Sequence, residues 1–578
     1  MPSDTPSRLR LAWRLSAPFW RTRAARPAWA LLIAVLGLSL GSVWLNVRFN
    51  AWNNDFYTAL QARDGDAFAH QLLRFSLLAV SFIAVTVYQR YLNQRLQIRW
   101  RAWMSHQLLS RWLDKGIQYR LQLLADTTGI DNPDQRIADD LRLFVDTTLS
   151  LGVGLLNAIV TLASFAGILW VLSGDATLPG GIVVPGFMLW AALIYSAAGA
   201  WVTHRLGRSL TPLNAEQQRR EADFRFGLVR AREHAEAIAL GRDEAAERRR
   251  LDTAFERVQD NWMRLIGRIK RLTWFSSGYG QLAIIFPFLA AAPRYFSGGI
   301  ALGGLMQTAQ AFDQVQGACS WFVSAYTELA EWFATIDRLA GFEQALATAR
   351  EDMAHSTIVQ HADADMLHID HLSTRRPDGV PLSDLAAMSI APGERVLVSG
   401  PSGAGKSTLL RALAGLWPHG DGIIHMPAAG PLMFLPQQPY LPVGALHDWL
   451  RMDDDTVDEA AMREALLAVN LGALGAALNE ARDWDKALSP GEQQRLAFTR
   501  VLLRRPRWLF LDEATSALDE ATETRLYHLL DTRLPDTAVI SVGHRSSLRR
   551  FHPRQIVLGQ AALIPPADAY PAVPTTSS

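Results

Sequence analysis

In its first half, the chain alternates long uncharged apolar runs with arginine-rich stretches. Between Arg26 and Arg48 runs PAWALLIAVLGLSLGSVWLNV, long enough to cross ~30 Å of hydrocarbon as a helix. Asp146 to Asp175, Asp175 to His204 and Arg271 to Arg294 enclose three more such stretches, and LGGLMQTAQAFDQVQGACSWF, from Leu302, adds another. FSLLAVSFIAVTVY, between Arg74 and Arg90, is shorter; as a span it needs its flanking arginines to snorkel. The pattern predicts an α-helical six-span transmembrane bundle, with this second span the least well bounded.

Lys and Arg in the connections set the orientation. Arg8, Arg10, Arg14, Arg21, Arg23 and Arg26 precede the first span; Arg95, Arg99, Arg101, Arg111, Lys115 and Arg120 follow the second. Arg219, Arg220, Arg225, Arg230, Arg232 and Arg248 to Arg250 follow the fourth, whereas SGDATLPGG, between the third and fourth, has no basic residue. The N-terminus and everything after the sixth span are therefore expected in the cytoplasm. A signal peptide fits poorly, because further spans follow the first and no small-x-small cleavage site stands out. The two long cytoplasmic connections carry apolar residues at three-and-four spacing, which predicts helices extending beyond the bilayer.

From about Met366 the pattern changes to short β-branched strands, Gly/Pro turns and intervening helices, the mark of an α/β domain. The expected division is a basic N-terminus (1–27), a membrane domain (28–345), a linker (346–365), a nucleotide-binding domain (366–560) and a Pro/Ser-rich tail (561–578).

Chemistry enters with ERVLVSGPSGAGKSTLLRALAGL. A short apolar strand, Arg395 to Ser399, feeds Gly400-Pro401-Ser402-Gly403-Ala404-Gly405-Lys406-Ser407-Thr408 and then a helix. Such glycines let backbone N–H groups turn inward around a phosphate chain. Lys406 is placed to reach the terminal phosphates and Ser407 to hold Mg²⁺, while the helix N-terminus adds its dipole. Downstream, RWLFLDEATSALD ends a buried strand pattern in Asp512, a metal-holding acid, followed by Glu513, placed to polarise an attacking water. The expected ligands are ATP and Mg²⁺.

LSPGEQQRLAFTR, at Leu488, resembles the signature motif of ABC-type ATPases. The resemblance implies an α/β P-loop ABC ATPase domain in which Ser489 and Gly491 contact phosphate. It makes Gln437 in FLPQQPY a Mg²⁺-contacting glutamine, Ser516 to Asp519 the D-loop, and His544 the switch histidine on the γ-phosphate. Two positions depart from the family pattern. Pro490 stands where a third signature glycine is usual and removes an N–H donor. Arg376, in STRRPDG, stands where an aromatic is expected to stack on adenine; a guanidinium can also stack on a base.

WNNDFYTALQARDGDAF, NPDQRIADDLRLF and EADFRFGLVRAREHAEAIAL, with the stretch from Leu302, are similar to the subgroup of peroxisomal acyl-CoA transporters and SbmA/BacA-like bacterial proteins. That resemblance implies an ATP-driven half-transporter in the bacterial inner membrane, working as a homodimer. Its cargo is then a hydrophilic solute of the cobalamin or peptide class, or alternatively an acyl-CoA or lipid. An ABC ATPase that powers no translocation is a further alternative. Gln307, Gln310 and Gln314 recur at three-and-four spacing, so one face of the sixth span bears amides. Lining a wet cavity is the favoured reading of that face, and interhelical hydrogen bonding the other.

Composition narrows little more. Fifty-seven basic against 56 acidic residues force no nucleic-acid partner, and the single Cys319 excludes an internal disulfide.

Overall fold

Apart from the stretch between Asp175 and His204, whose helix starts only at Phe187 after two short paired strands, Asp175–Thr177 and Val183–Pro185, the apolar runs lie in long helices. A computed structural model describes residues 5–128, 132–173, 175–177, 183–428, 430–451 and 456–559. Residues 1–4 of the basic N-terminus, part of SGDATLPGG and the tail 561–578 lie outside the described residues. The chain divides into two bodies, Met1–Trp112 with Ile130–Gln344, and Leu113–Gly129 with Ala345–Ser578.

The first body is helical. α1 (Thr5–Arg21) precedes α2 (Arg26–Ala62) and α3 (Gly65–Trp112). After α4 (Ile117–Thr128), which belongs to the second body, come α5 (Pro133–Ser173), α6 (Phe187–Glu233), α7 (Glu244–Phe296) and α8 (Leu302–Ala354). Among the described residues, α2, α3, α5, α6 and α7 are long and apolar enough to cross a membrane. α8 has 53 residues, ample length for a sixth span, but its amides and Asp313 lower its hydropathy. The second span, short as an apolar run, sits in a helix apolar enough to cross a membrane. α3 runs unbroken for 48 residues and carries the apolar run inside it.

Packing in this body combines aromatics and close backbone approach. Trp100 is buried against Phe19 and Phe144, with ring centroids 5.8 and 5.9 Å away. Phe165, Leu169, Ala192, Phe312 and Val315 form a buried cluster. A Cβ on Gly303 would stand 2.1 Å from the Asn54 carbonyl, so only glycine lets α8 lie this close to α2. Near the start of α5, Arg136–Asp140 forms a π turn in which Asp140 is buried and accepts from Arg136 and from Arg338 Nε and Nη2. Those guanidinium bonds outweigh burial and hold the Asp140 carboxyl below the ordinary carboxylate range.

The second body carries two sheets. β1 (Ile358–Ala364), β2 (Leu367–Arg375) and β3 (Pro381–Leu385) precede β4 (Arg395–Ser399). Then follow α9 (Lys406–Leu413), β5 (Gly420–Pro427), β6 (Leu432–Leu435), α10 (Pro490–Arg504), β7 (Trp508–Asp512), α11 (Glu520–Arg533), β8 (Ala538–Val542) and β9 (Arg554–Val557). The parallel sheet has the order β9-β4-β8-β7-β6, and the mostly antiparallel one β1-β5-β2-β3. β7 up to Asp512, and β8 apart from Ser541, are apolar because both of their faces are covered. The linker expected at 346–365 is instead the end of α8 followed by β1, which pairs with β5, so the sheet begins before Met366.

α4 sits on this second body. Ile117 and Leu121 are buried, and Leu123 packs on the core beside Ile358 and Trp417. Buried Arg120 pairs with Asp352 at 3.2 Å.

Candidate functional site

The site forms at the carboxyl ends of the parallel strands, where an open α/β sheet presents its loops. β4 is held between β9 and β8, with Val396, Leu397 and Val398 buried, and delivers the chain at Gly400. A Cβ on Gly400 would meet the Leu558 carbonyl at 2.5 Å. Gly403 and Gly405 take left-handed φ values of 82° and 81°, and Gly405 caps α9. The loop Gly400–Gly405 therefore curls around the start of that helix. Lys406 Nζ donates to the carbonyls of Gly400 (3.0 Å) and Pro401 (2.9 Å), so the ammonium is folded back over its own loop. Thr408, in the first turn of α9, is buried.

β7 lies next but one to β4 in the sheet and brings Asp512 up to this loop. Ser407 Oγ donates to Asp512 Oδ1 at 2.8 Å. Burial pushes the Asp512 carboxyl up; the Ser407 hydroxyl and the nearby Arg411 and Lys406 charges oppose it. A half-buried carboxylate beside a primary hydroxyl is a hard oxygen donor set, which suits Mg²⁺.

Glu513 follows in a left-handed conformation, φ 47°, fixed by its N–H donating to the Val542 carbonyl at 3.1 Å. Such a backbone is strained for a non-glycine residue and aims the side chain away from the strand direction. Its carboxylate lies between two of the residues expected from sequence. Gln437 Nε2 donates to Oε2 at 3.3 Å, and His544 Nδ1 stands 3.4 Å from Oε1. Ser407 thus meets Asp512, while Gln437 and His544 meet the adjacent Glu513, although these residues are spread over more than a hundred residues of sequence.

Ser489 is the N-cap of α10 and forms a capping box with Glu492. Its Oγ donates to Glu492 Oε2 at 2.7 Å, and that bond chiefly holds the Glu492 carboxyl below its ordinary range. Pro490 is at N1, where fixed φ suits the helix and the missing N–H breaks no intrahelical bond. The proline therefore helps define the start of the signature helix. A Cβ on Gly491 would approach the Ala517 carbonyl to 3.2 Å, so the D-loop crosses close to it.

Arg376 lies in the tight turn between β2 and β3. Its N–H donates to the Val380 carbonyl at 2.8 Å, and its guanidinium pairs with Asp378 at 3.3 Å. β3 then passes the phosphate loop: a Cβ on Gly405 would lie 3.3 Å from Leu382 Cβ and 3.4 Å from Ser383 Cβ. The hairpin is beside the loop, with the guanidinium turned to Asp378.

Two residues that sequence reasoning missed tie the loops together. Buried Gln494 donates to the Gln437 carbonyl (3.0 Å) and to Ser516 Oγ (3.2 Å), and accepts from Ala517 N–H (3.0 Å). Arg545 donates to the carbonyls of Ser516 and Leu518, both at 2.7 Å. Gln494 stands inside LSPGEQQRLAFTR and Arg545 directly follows His544, but neither place in the sequence shows which loop the side chain reaches.

In the membrane body, the amide face divides. Gln307 Nε2 donates to Asn50 Oδ1 at 3.1 Å, and Gln310 Oε1 accepts from Asn50 (3.2 Å) and Asn53 (3.1 Å). These two amides join α8 to α2. The cavity lining expected of them is replaced by interhelical hydrogen bonding, because Gly303 brings the helices close enough for short amides to meet.

Residues 22–296 match the family described as ABC transporter transmembrane region 2, and residues 384–516 the family ABC transporter. The inner membrane ABC transporter ATP-binding protein YddA of Escherichia coli (strain K12) is 36% identical, over 92% of this chain and 94% of YddA. The chain is an ABC transporter. Its membrane region and ATPase domain are fused in one polypeptide, and as a member of this ATP-driven family it hydrolyses ATP to power transport. Other ABC transporters similar to it include ABC transporter D family member 2, chloroplastic, of Arabidopsis thaliana, 32% identical over 96% of this chain and 88% of that protein. The lysosomal cobalamin transporter ABCD4 of Mus musculus is 28% identical over 86% of each chain. A bacterial Atm1-family ABC exporter solved with ATP bound shares the fold: TM-score 0.70 at 17% identity, over 92% of this chain and 93% of that one.

Proposed function

We propose that this ABC transporter works as a homodimer in the bacterial inner membrane and takes up a hydrophilic solute of the cobalamin or peptide class. The observation that carries the cargo class is the two-sided character of α8. Ala311, Phe312, Val315 and Ala318 are buried, whereas Asp313, Gly317 and Ser324 are exposed, with Gln316 and Ser320 half-buried beside them. A polar stripe at membrane depth belongs against water or a polar solute, not against lipid tails. The relative named a cobalamin transporter points the same way.

The arginine-rich connections support a cytoplasmic N-terminus and ATPase domain. The inner-membrane placement rests on the name of the relative YddA. Homodimerisation is supported by α7, whose Trp262, Met263, Ile266, Ile269 and Trp274 are all exposed on the single chain. So large an apolar surface calls for a covering partner. Within one ATPase domain the signature loop and phosphate loop serve different nucleotides, so each ATP is sandwiched between two copies.

In the ATPase domain, the backbone N–H groups of Gly400–Gly405 and the Lys406 ammonium hold the phosphate chain. Ser407 and Asp512, with Gln437, would hold Mg²⁺, which supplies charge neutralisation at the β- and γ-phosphates. Glu513 accepts a proton from the attacking water, oriented by its contacts to Gln437 and His544. His544 faces the γ-phosphate, and Ser489 and Gly491 close the site from the second copy. Arg376 covers the adenine once it leaves Asp378.

ATPase activity of the full chain in proteoliposomes, screened against cobalamin, hydrophilic peptides and acyl-CoAs, tests the cargo reading. Stimulation by the first two supports it; stimulation by acyl-CoA alone replaces it with lipid transport.

A further inference from the structure

A carboxylate sealed inside the ATPase domain joins the two loops that carry Glu513 and His544. Glu523, in the first turn of α11, is fully buried. Its two oxygens go to different loops. Oε2 accepts from Thr515 Oγ1 at 2.8 Å, two residues beyond Glu513. Oε1 accepts from Ser547 Oγ at 2.5 Å, three residues beyond His544. Arg545 Nη1 stands 3.6 Å from Oε2 and supplies the opposite charge.

These bonds fall where the backbone is already tight. Ser516 N–H donates to the Glu513 carbonyl at 2.9 Å and Leu518 N–H to the Thr515 carbonyl at 3.1 Å, so Thr515 lies inside the turn that Glu513 opens. Arg545 closes that turn from the His544 side through the carbonyls of Ser516 and Leu518. Burying a carboxylate is costly unless it is both paired and hydrogen-bonded. Leu526, Tyr527 and Leu530, on the same face of α11, are buried apolar or aromatic side chains, so the packing of this helix calls for no charge there. What the carboxylate adds is one bond to each loop.

We propose that Glu523 is a positioning residue for hydrolysis, tying the Glu513 turn to the His544 loop so that both side chains are held in one arrangement. This rests on the reading that Glu513 and His544 act on ATP. Being fully buried, Glu523 works through Thr515, Ser547 and Arg545 and not by contact with the nucleotide. Such a tie has a signature. Cut at either end it is lost whole, whereas independent packing defects multiply.

Phosphate release by the full chain in proteoliposomes is measured across ATP concentrations for Thr515→Val, Ser547→Ala and the double variant. Rates are referred to the ATP-binding fraction of each preparation, so misfolded chain does not count. Each single variant should lower kcat about tenfold, the size of one lost bond to a buried charge, with KM for ATP unchanged. The double variant should fall little further. Glu523→Gln, which keeps the shape and loses the charge, should match it. Thr515→Ser should recover most of the kcat lost in Thr515→Val. Losses that multiply to about a hundredfold in the double variant overturn the tie. An unchanged kcat in either single variant, or a raised KM in place of a lowered kcat, overturns it as well. Glu513→Gln is run alongside. Wild-type turnover in Glu513→Gln removes the reading of Glu513 and the proposal with it; a stalled Glu513→Gln with multiplying losses removes the role of Glu523 alone.

Discussion

Asn50 and Gln310, 260 residues apart in sequence, meet inside the membrane body with Asn50 Nδ2 donating to Gln310 Oε1 at 3.2 Å. Asn50 is fully buried and also bonds both the backbone and the side chain of Gln307. Amide contacts of this kind between membrane helices contribute about 0.6 kcal/mol each, up to ~1.7. A double-mutant cycle of Asn50→Ala and Gln310→Ala, followed by thermal melting, should give a coupling in that range. Additive losses would show that the two amides act independently.

On the roles proposed for Lys406 and Glu513, substitutions there should separate binding from hydrolysis. Lys406→Ala should abolish ATP turnover, since the phosphates lose their fixed cation. Glu513→Gln should retain ATP while lowering turnover by about 10²-fold or more, because the water loses its proton acceptor. Nucleotide retention and phosphate release, measured on the same preparations, distinguish the two. Turnover at the wild-type rate in Glu513→Gln would remove Glu513 from the reaction.

If each ATP is shared between copies, defects on opposite sides of the site should complement. Lys406→Ala spoils the phosphate loop, and Ser489→Arg spoils the signature loop, each in one copy. Mixed dimers then contain one intact composite site of two, so about half the wild-type turnover is the ceiling. Activity no higher than in either parent, with mixed dimers verified by dual-tag capture, would place both loops at the same nucleotide.

His552 gives the ATPase domain a pH-dependent stability. Its Nδ1–H donates to the Leu548 carbonyl at 2.8 Å, so the neutral Nε2 accepts from Ser541 Oγ, also at 2.8 Å. Ser541 in turn takes the Tyr527 hydroxyl at 3.1 Å. Burial lowers the His552 pKa below 6.5, so below that pH the unfolded chain binds a proton that the folded one refuses. This contribution is therefore complete above about pH 6.5 and is lost as pH falls toward the depressed folded value. The slope is at most about 1.4 kcal/mol per pH unit for one group. His552→Gln should melt earlier at neutral pH yet show a shallower fall on acidification. Parallel wild-type and variant curves would count against it.

The phosphate loop, the Asp512-Glu513 pair and the signature helix were legible in sequence because each requires contiguous residues. Gln494 and Arg545 were hidden because their bonds reach loops more than twenty residues away, which no local spacing encodes. β1 was hidden for another reason. It is an edge strand with only Ile358 buried, so it lacks the apolar run that marks β7. In the membrane body, the spacing of Gln307, Gln310 and Gln314 identified a face of α8 but not its neighbour. The close approach at Gly303 decided that two of them turn to α2.

The central claim is that ATP hydrolysis at Glu513 moves a hydrophilic solute across the membrane. The direct measurement is ATP-dependent accumulation of radiolabelled cobalamin and of a labelled hydrophilic peptide in inverted vesicles and in right-side-out proteoliposomes, for wild type and Glu513→Gln. The account predicts wild-type movement of at least one of them toward the ATPase side, abolished by Glu513→Gln. Movement that persists in Glu513→Gln, or a wild type that moves only acyl-CoA, would contradict it.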